Sequence, residues 1–292
     1  MVRVTITGSG TPLMVPGRAG PGALVEVESG IKLQFDTGRA TTLRLTEAGV
    51  ALPDLDAVFI THHHSDHMVG LADLAMSWWL EQWGDATPPL PVIAPLGQAT
   101  TIANSVLDVW RDEMTMRAAH TGRQNNASIE VRPFVAEDQP KVVFATNEVE
   151  VSAVQVRHEP VIPAVAYRVD APAGAVVISG DTSVCPTLER LAHGATLLVQ
   201  EVFRASAVPD GFLSDPEAIA EYHSDPREIG EMADRAGVGT IMLTHVIPPP
   251  QSPEDKVGII NDIRRGGYHG PVVVADDLDH IDFSPHAAHR AP

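Results

Sequence analysis

The segment Asp56–Leu71, DAVFITHHHSDHMVGL, decides the fold of this chain. Its apolar letters AVFI predict a short buried strand, which runs directly into His62–His67, a run of six residues with four histidines and one aspartate. An apolar helix is predicted to follow over about residues 69–83. Such a cluster is either a solvated histidine-rich loop or a metal site. The histidines and aspartates elsewhere in the chain distinguish the two interpretations.

Three other apolar segments also end on side chains that bind metals. VSAVQVR runs into His158, AVVISG into Asp181 and TIMLT into His245. In α/β sheets the loops at one edge carry the reactive groups, so strand ends that are distant in sequence meet in space. We therefore expect these residues to join the histidine cluster, although each alone has an ordinary explanation as a turn or strand-end residue.

Imidazole and carboxylate donors suit zinc and similar divalent cations. A thiolate cage is excluded, because the chain has a single cysteine, Cys185. Seven ligands are too many for one tetrahedral ion but suit two ions that share a carboxylate, for which we choose Asp181. Zinc is the expected metal, with manganese and iron as alternatives. The seven predicted ligands are His62, His64, Asp66, His67, His158, Asp181 and His245.

The composition sets the class of protein. The 292 residues, 44% of them hydrophobic, suffice for a sizeable core, and we predict a single α/β domain over residues 1–292. The chain lacks a run of about 18 apolar residues and an N-terminal signal pattern, which predicts a cytoplasmic protein without a membrane span. The formal net charge of −18 argues against nucleic acid and favours a small-molecule substrate, because nucleic-acid affinity depends on Lys and Arg.

The motifs together resemble the metallo-β-lactamase fold. After a strand comes His-x-His-x-Asp-His, followed by the lone His158, the GDT of Gly180–Thr182 and the LTH of Leu243–His245. GSGTP (Gly8–Pro12) and FDTG (Phe35–Gly38) resemble the ribonuclease Z-like branch, which also contains bacterial arylsulfatases and cyclic phosphodiesterases. The resemblance covers nearly the whole chain and implies a four-layer αββα sandwich.

The resemblance also implies how the ligands are divided and which residues are catalytic. Asp66 would orient the attacking hydroxide, and His223 would stabilise charge on the reacting group or protonate the leaving group, although a histidine before a helix also serves as a simple cap. The implied sets are His62, His64 and His158 for one ion, Asp66, His67 and His245 for the other, and Asp181 as the bridge.

Three further residues have two explanations each. Asp36 is expected to hold a ligand histidine or the TGR turn that follows it. Arg18 is a candidate contact for a substrate anion, or a solvated surface residue. Trp78 is a candidate for lining the metal pocket, or a core residue. His63, inside the cluster, is interpreted as a structural or surface residue.

The predicted function is a binuclear metal-dependent hydrolase that uses a hydroxide shared by two ions to cleave a small ester. A phosphodiester or sulfate ester is favoured over a lactone or carboxylic ester. A ribonuclease Z-type tRNA 3′-end endonuclease is the alternative, against which we count the short segment 117–140, where no long Gly/Pro-rich arm is inserted. A mononuclear iron oxidoreductase is the alternative outside hydrolysis. The apolar helix after the metal loop is a candidate interface for a homodimer.

Overall fold

Two seven-stranded sheets face each other in the computed structural model, which describes residues 1–82, 86–209 and 211–284. The first sheet contains β1 (Val2–Gly8), β2 (Gly22–Val27), β3 (Lys32–Phe35), β4 (Ala57–Phe59), β5 (Leu90–Pro95), β6 (Ile129–Phe134) and β14 (His280–Phe283). The second contains β7 (Lys141–Ala145), β8 (Glu150–Gln155), β9 (Val165–Ala171), β10 (Gly174–Ile178), β11 (Leu197–Phe203), β12 (Thr240–Ile247) and β13 (Val272–Val274).

Helices cover the outer faces of both sheets. Within the described residues they are α1 (Thr41–Glu47), α2 (Ser65–Met68), α3 (Leu71–Glu81), α4 (Gln98–Ser105), α5 (Arg111–Thr121), α6 (Pro186–Ala192), α7 (Pro216–Ala220), α8 (Pro226–Ala236) and α9 (Pro253–Arg265). Apolar residues of α1, α3 and α4 pack on the first sheet, and those of α6, α8 and α9 pack on the second. The four layers confirm the predicted α/β class and the αββα sandwich.

Strand direction brings the predicted ligands to one side of the molecule. Strands β3 to β6 run parallel, and so do β10 to β13. Strand β8 shares the direction of β10, because both pair antiparallel with β9. The rings of His62, beyond β4, and His158, beyond β8, have centroids 4.7 Å apart, so the carboxyl ends of both sheets lie at the same edge.

Aromatic packing between the sheets anchors the strand that leads into the metal loop. The rings of Phe35 in β3 and Phe59 in β4 stack with centroids 4.8 Å apart. Tyr167 of the opposite sheet packs edge-on against Phe59 at 5.4 Å, and its hydroxyl donates to the carbonyl of Ile60 at 2.7 Å. Each fully buried aromatic ring of this kind stabilises the fold by about 1.5–3 kcal/mol. The first residues of the histidine loop therefore start from a rigid position.

The segment of α4 and α5 and the strand β7 differ from the sequence prediction. The sequence predicts one helix over QATTIANSVLDVWRDEM, but α4 ends at Ser105, a 3₁₀ turn spans Asp108–Trp110, and α5 begins at Arg111. Strand β7 is not predicted, because it lies at the sheet edge and its side chains are half-buried or exposed, which weakens the apolar pattern.

The helix after the metal loop begins later than predicted and faces inward. Gly70 separates α2 from α3, which spans Leu71–Glu81, and position 83 lies outside the described residues. Trp79 has no exposed surface and Trp78 only 5%, so both tryptophans belong to the core, whereas Met76 and Leu80 of α3 are half-buried and keep part of their apolar surface exposed. The homodimer remains a prediction without an assigned surface.

No helix of the described part of the chain has both the length and the apolar character to cross a bilayer.

Candidate metal centre

The structure brings all seven predicted ligands together at the shared sheet edge. Strands β4, β8 and β10 each reach their ligand, His62, His158 or Asp181, three residues past the strand end. His245 differs from the prediction, because β12 continues past it to Ile247. The register of β12 against β11 shifts at this point, and His245 has a left-handed φ of 46°. This bulge directs the imidazole towards the other ligands.

Three imidazoles and one carboxylate form the first half of the centre. Nδ1 of His64 lies 3.0 Å from Nε2 of His62 and 3.2 Å from Nε2 of His158. Oδ2 of Asp181 is 3.9 Å from the His62 nitrogen and 4.0 Å from the His158 nitrogen. The four donor atoms thus surround a single point, and all the residues except the half-buried His64 are buried.

Two imidazoles and two carboxylates form the second half. Oδ2 of Asp66 lies 3.7 Å from Nε2 of His67 and 3.4 Å from Nε2 of His245. The same Oδ2 of Asp181 that faces the first half lies 3.3 Å from the His67 nitrogen and 3.5 Å from the His245 nitrogen. Asp181 therefore stands between the two halves, where the sequence analysis expected a bridging carboxylate.

The donors fit divalent metal ions. Four ligands about 2.0–2.1 Å from one ion are separated from each other by roughly 3.3 Å, which is close to the spacings in both halves. Nε2 of His67 is buried yet has no hydrogen-bond partner, although buried polar atoms are almost always paired. Because the donors are nitrogen and oxygen, they do not choose among zinc, manganese and iron, so zinc remains a prediction.

The pKa values of the first half favour neutral imidazoles, the form that binds metals. Burial holds the pKa of His62 well below its usual value. Burial also lowers the pKa of His64 to about 4 and lowers that of His158. His67 is different: burial opposes its charge, but the carboxylates of Asp181 and Asp36 raise its pKa well above the usual value. Those carboxylates attract a positive charge, which a metal ion can supply in place of the proton.

Neighbouring residues hold the ligand rings in place. Asp36 accepts a hydrogen bond from Nδ1 of His67 at 2.8 Å, as expected for a residue that supports a ligand histidine. It also accepts from the amide of Thr61 at 2.8 Å and from the Thr61 hydroxyl at 2.8 Å. Nδ1 of His158 donates to the carbonyl of Tyr222 at 3.0 Å. Such contacts fix the ring orientation and the tautomer of a metal-binding histidine.

Glu201 is a functional candidate that the sequence analysis missed. Its Oε2 lies 3.1 Å from Nδ1 of His223, while Oε1 accepts from the amides of Ser224 at 2.8 Å and Thr182 at 3.3 Å. Burial acts to lower the pKa of His223, but the Glu201 carboxylate outweighs it and raises the value to about 9. The sequence does contain a signal for this residue: LLVQEVF is an apolar strand apart from one glutamine and one glutamate, and polar side chains in a buried strand indicate a functional or structural role.

His223 itself lies beside the predicted ligands. One of its ring nitrogens is within 4.8 Å of ligand atoms of Asp181 and His245. Its ring stacks near the ring of His245, with centroids 5.8 Å apart. The residue therefore lies close enough to both halves of the centre to contact a reacting group, which a simple helix cap would not require.

The two predicted substrate contacts have other partners in the structure. Arg18 donates to the Ser9 hydroxyl at 2.7 Å and to the Asp276 carboxylate at 2.6 Å. Trp78 packs in the core under the first sheet and donates from its indole nitrogen to the carbonyl of Pro88 at 3.1 Å. His63 is half-buried, beside the ligands but outside both sets. Substrate binding by Arg18 or Trp78 stays a prediction that these contacts do not support.

Comparison with known proteins identifies the family. Residues 34–246 match the beta-lactamase superfamily domain, and this range contains all seven predicted ligands. The chain belongs to the metallo-β-lactamase superfamily. It is a metal-dependent hydrolase that acts on ester bonds, as the sequence predicted.

The relatives place this hydrolase in the ribonuclease Z-like branch. The chain is 31% identical to a ribonuclease Z of Mycobacterium bovis (strain BCG / Pasteur 1173P2) over 98% of this chain and 99% of the relative. It is 36% identical to a ribonuclease Z of Mycobacterium sp. (strain KMS) over 85% of both chains. The arylsulfatase part of the predicted resemblance is not tested by these relatives.

Solved structures support the fold. The metallo-β-lactamase fold protein YhfI from Bacillus subtilis aligns with a TM-score of 0.71 at 20% identity, covering 97% of this chain and 100% of YhfI. The short form of human tRNase Z aligns with a TM-score of 0.67 at 23% identity, covering 96% of this chain and 98% of that one.

These relatives correct the prediction of partners. The sequence predicts a small-molecule ester and argues against nucleic acid, but relatives that match nearly the whole chain are named as ribonucleases. The inference from the net charge of −18 was wrong because it summed charge over the whole surface. Contact with a phosphodiester depends on the local field at the site, where bound divalent cations are the largest charges.

Proposed function

We propose that this hydrolase is a binuclear phosphodiesterase of the ribonuclease Z type that cleaves RNA, with the 3′ end of precursor tRNA as its substrate. The proposal is supported by the relatives named ribonuclease Z, which match nearly the whole chain at 31–36% identity. Under this proposal, residues 1–292 act as one catalytic domain. The short segment 117–140 then means that this protein binds tRNA without a long inserted arm, and it does not argue against an RNA substrate.

The observation that carries the proposal is the position of Asp181. Its Oδ2 lies within 3.3–4.0 Å of four imidazole nitrogens, two in each half of the centre. A single carboxylate oxygen in that position suits a pair of ions and not one isolated ion. Two divalent cations, when bound, supply a water of lowered pKa and neutralise charge on the phosphoryl oxygens.

The donor positions support the proposed ligand roles. One oxygen of Asp66 faces His67 and His245, which leaves the second oxygen free to accept a hydrogen bond from the attacking water and orient it. In this proposal the metal ligands are His62, His64 and His158 in one half, Asp66, His67 and His245 in the other, and Asp181 between them.

His223 is the proposed proton donor to the leaving oxygen. Glu201 binds the ring at Nδ1, so the proton on Nε2 remains for transfer. The leaving group of a phosphodiester is an alkoxide, which departs far more easily once protonated. Glu201 acts through His223, because its two oxygens are already occupied by His223, Ser224 and Thr182.

Metal content and RNA cleavage of the same samples test the proposal. Protein purified without added metal should hold close to two divalent ions per chain and should shorten a precursor tRNA transcript near its 3′ end. Asp181→Ala should lose metal and lower the rate by at least about a hundredfold, because it removes a ligand from both halves. Intact precursor tRNA in the presence of two bound ions would refute the RNA substrate. One iron per chain and no hydrolysis would favour the iron oxidoreductase.

A further inference from the structure

Arg157 stands out among the basic residues of this acidic chain. Within the described residues, it is the one lysine or arginine whose side chain has neither a hydrogen bond nor an ion pair. The side chain is exposed, and the residue immediately precedes His158. The other exposed arginines of the described residues each have at least one hydrogen-bond or ion-pair partner, such as Arg235, which binds Glu189 at 2.8 Å. An unpaired guanidinium beside a predicted metal ligand is therefore unusual for this molecule.

The backbone of Arg157 is hydrogen-bonded to the loop that follows Asp181. Its amide donates to the hydroxyl of Thr182 at 3.1 Å, and its carbonyl accepts from the amide of Ser183 at 2.9 Å. Both partners directly follow Asp181. The side chain thus starts from a rigid point at the edge of the centre, although its outer end is free. Such preorganisation reduces the entropy that a binding residue loses on contact.

Arg157 lines a polar cleft of about 290 Å³ together with Arg190, Gln155 and Thr187. Arg190 gives one hydrogen bond to the backbone carbonyl of Asp138 at 3.1 Å, and its remaining donors are exposed. Two carboxylates, of Asp138 and Glu159, also border the cleft. Neither forms an ion pair with Arg157 or Arg190, so the planar donors of both arginines stay available to an anion.

We propose that the cleft between Arg157 and Arg190 binds a backbone phosphate of the RNA other than the scissile one. The inference rests on the proposed function, because it assumes that the substrate is a polynucleotide. A guanidinium matches two phosphate oxygens with parallel hydrogen bonds, whereas a small ester cleaved at the metal centre has no second phosphate to place here. The cleft thereby selects for long substrates over short ones.

The test separates RNA binding from RNA cleavage. Fluorescence anisotropy with a labelled precursor tRNA transcript gives the affinity at several salt concentrations, and cleavage of the same RNA and of bis(p-nitrophenyl) phosphate gives the kinetics. The proteins are the wild type, Arg157→Gln, Arg157→Lys and the control Arg235→Gln. Arg235 is 54% exposed, lies on α8, pairs with Glu189 and does not line the cleft, so the control removes the same charge outside the cleft.

Arg157→Gln should weaken RNA binding about tenfold, because one charge-assisted contact is lost. The slope of log affinity against log salt should become shallower by about 0.7–0.9, the value for one phosphate contact. Arg157→Lys should keep the salt slope and lose only part of the affinity. The loss of Arg157→Gln on RNA should exceed its loss on the small diester, and Arg235→Gln should bind RNA like the wild type.

Equal RNA affinity and equal salt slope in Arg157→Gln and the wild type would overturn the inference. An equally small loss of RNA affinity in Arg157→Gln and Arg235→Gln would also overturn it, because that result would show only an effect of net charge. Wild-type protein that binds RNA through Arg157 but leaves it uncut would overturn the proposed function alone. Metal content and melting temperature of each variant show that a loss does not come from misfolding.

Discussion

At the scale of single residues, the chemistry of this centre depends on partners that are distant in sequence. Asp36 supports His67 from 31 positions away, and Glu201 binds His223 across 22 positions. Asp36 has a left-handed φ of 54°, which an aspartate or asparagine adopts more easily than most residues. Both carboxylates are buried, so removing their charge changes the histidine they touch more than the surface of the protein.

Glu201→Gln should lower the pKa of His223 from about 9 towards its ordinary value, because the carboxylate that raises it is lost. The alkaline limb of kcat against pH should then move to lower pH. With the folded pKa above the ordinary 6.5, His223 contributes stability that is complete below about pH 6.5 and lost as the pH rises through about 9. NMR titration of His223 and pH–rate profiles check this, with Glu189→Gln, at the half-buried partner of Arg235, as control. The same His223 pKa in Glu201→Gln and in the wild type would contradict this prediction.

Asp36→Asn should weaken metal binding by about 10–100-fold, because the neutral amide holds Nδ1 of His67 less strongly than the carboxylate. The asparagine keeps the size and the backbone preference of the residue, so the fold should persist. Bound metal per chain, measured by elemental analysis against increasing chelator, reports the effect. Asp54→Asn, an exposed partner of Lys32, is the matched control. Equal chelator resistance in both variants would refute this role of Asp36.

At the scale of elements, the centre depends on how the FDTG turn packs against the start of α3. The amide of Gly70 donates to the carbonyl of Thr37 at 2.9 Å. A β-carbon at Gly70 would lie 2.2 Å from the carbonyl oxygen of Gly38, which is backbone and cannot turn aside. This close approach holds α2, with Asp66 and His67, against the turn that carries Asp36. It also explains why the predicted helix over residues 69–83 is interrupted at its start.

Gly70→Ala should lower the free energy of unfolding by about 1–3 kcal/mol, the usual cost of overpacking a tight contact. Urea unfolding gives the value. The neighbouring Val69→Ala is the control, because Val69 is 56% exposed and a surface change there should stay within about 0.5 kcal/mol. A Gly70→Ala protein as stable as the control would show that the backbone shifts without cost.

At the scale of the whole molecule, the metal centre connects the two sheets. His62, His64, Asp66 and His67 follow the first sheet, whereas His158, Asp181 and His245 belong to the second. Metal ions bound by ligands from both sheets would link the two sheets, in addition to the aromatic packing that already joins them. Without cations, the buried carboxylates of Asp66 and Asp181 lie close together and repel each other.

Metal removal should therefore lower the melting temperature of the whole domain. An ion present at about 100 times its dissociation constant stabilises the folded state by roughly 2.7 kcal/mol. Thermal melting with chelator and with added zinc should show this difference in the wild type and a much smaller one in Asp181→Ala. Equal shifts in both proteins would mean that the metal acts elsewhere.

The sequence by itself determined the layered α/β class, the seven candidate ligands and the hydrolase chemistry. Each ligand either follows an apolar strand or belongs to the His62–His67 motif. These patterns involve residues that are neighbours in the sequence, so they can be recognised without the structure. Glu201, the bulge at His245 and the inward packing of Trp78 needed the tertiary structure, because they depend on which strands pair and which faces are covered. The partner was misjudged for the same physical reason: net charge is a sum over the chain, whereas binding depends on where individual charges lie in space.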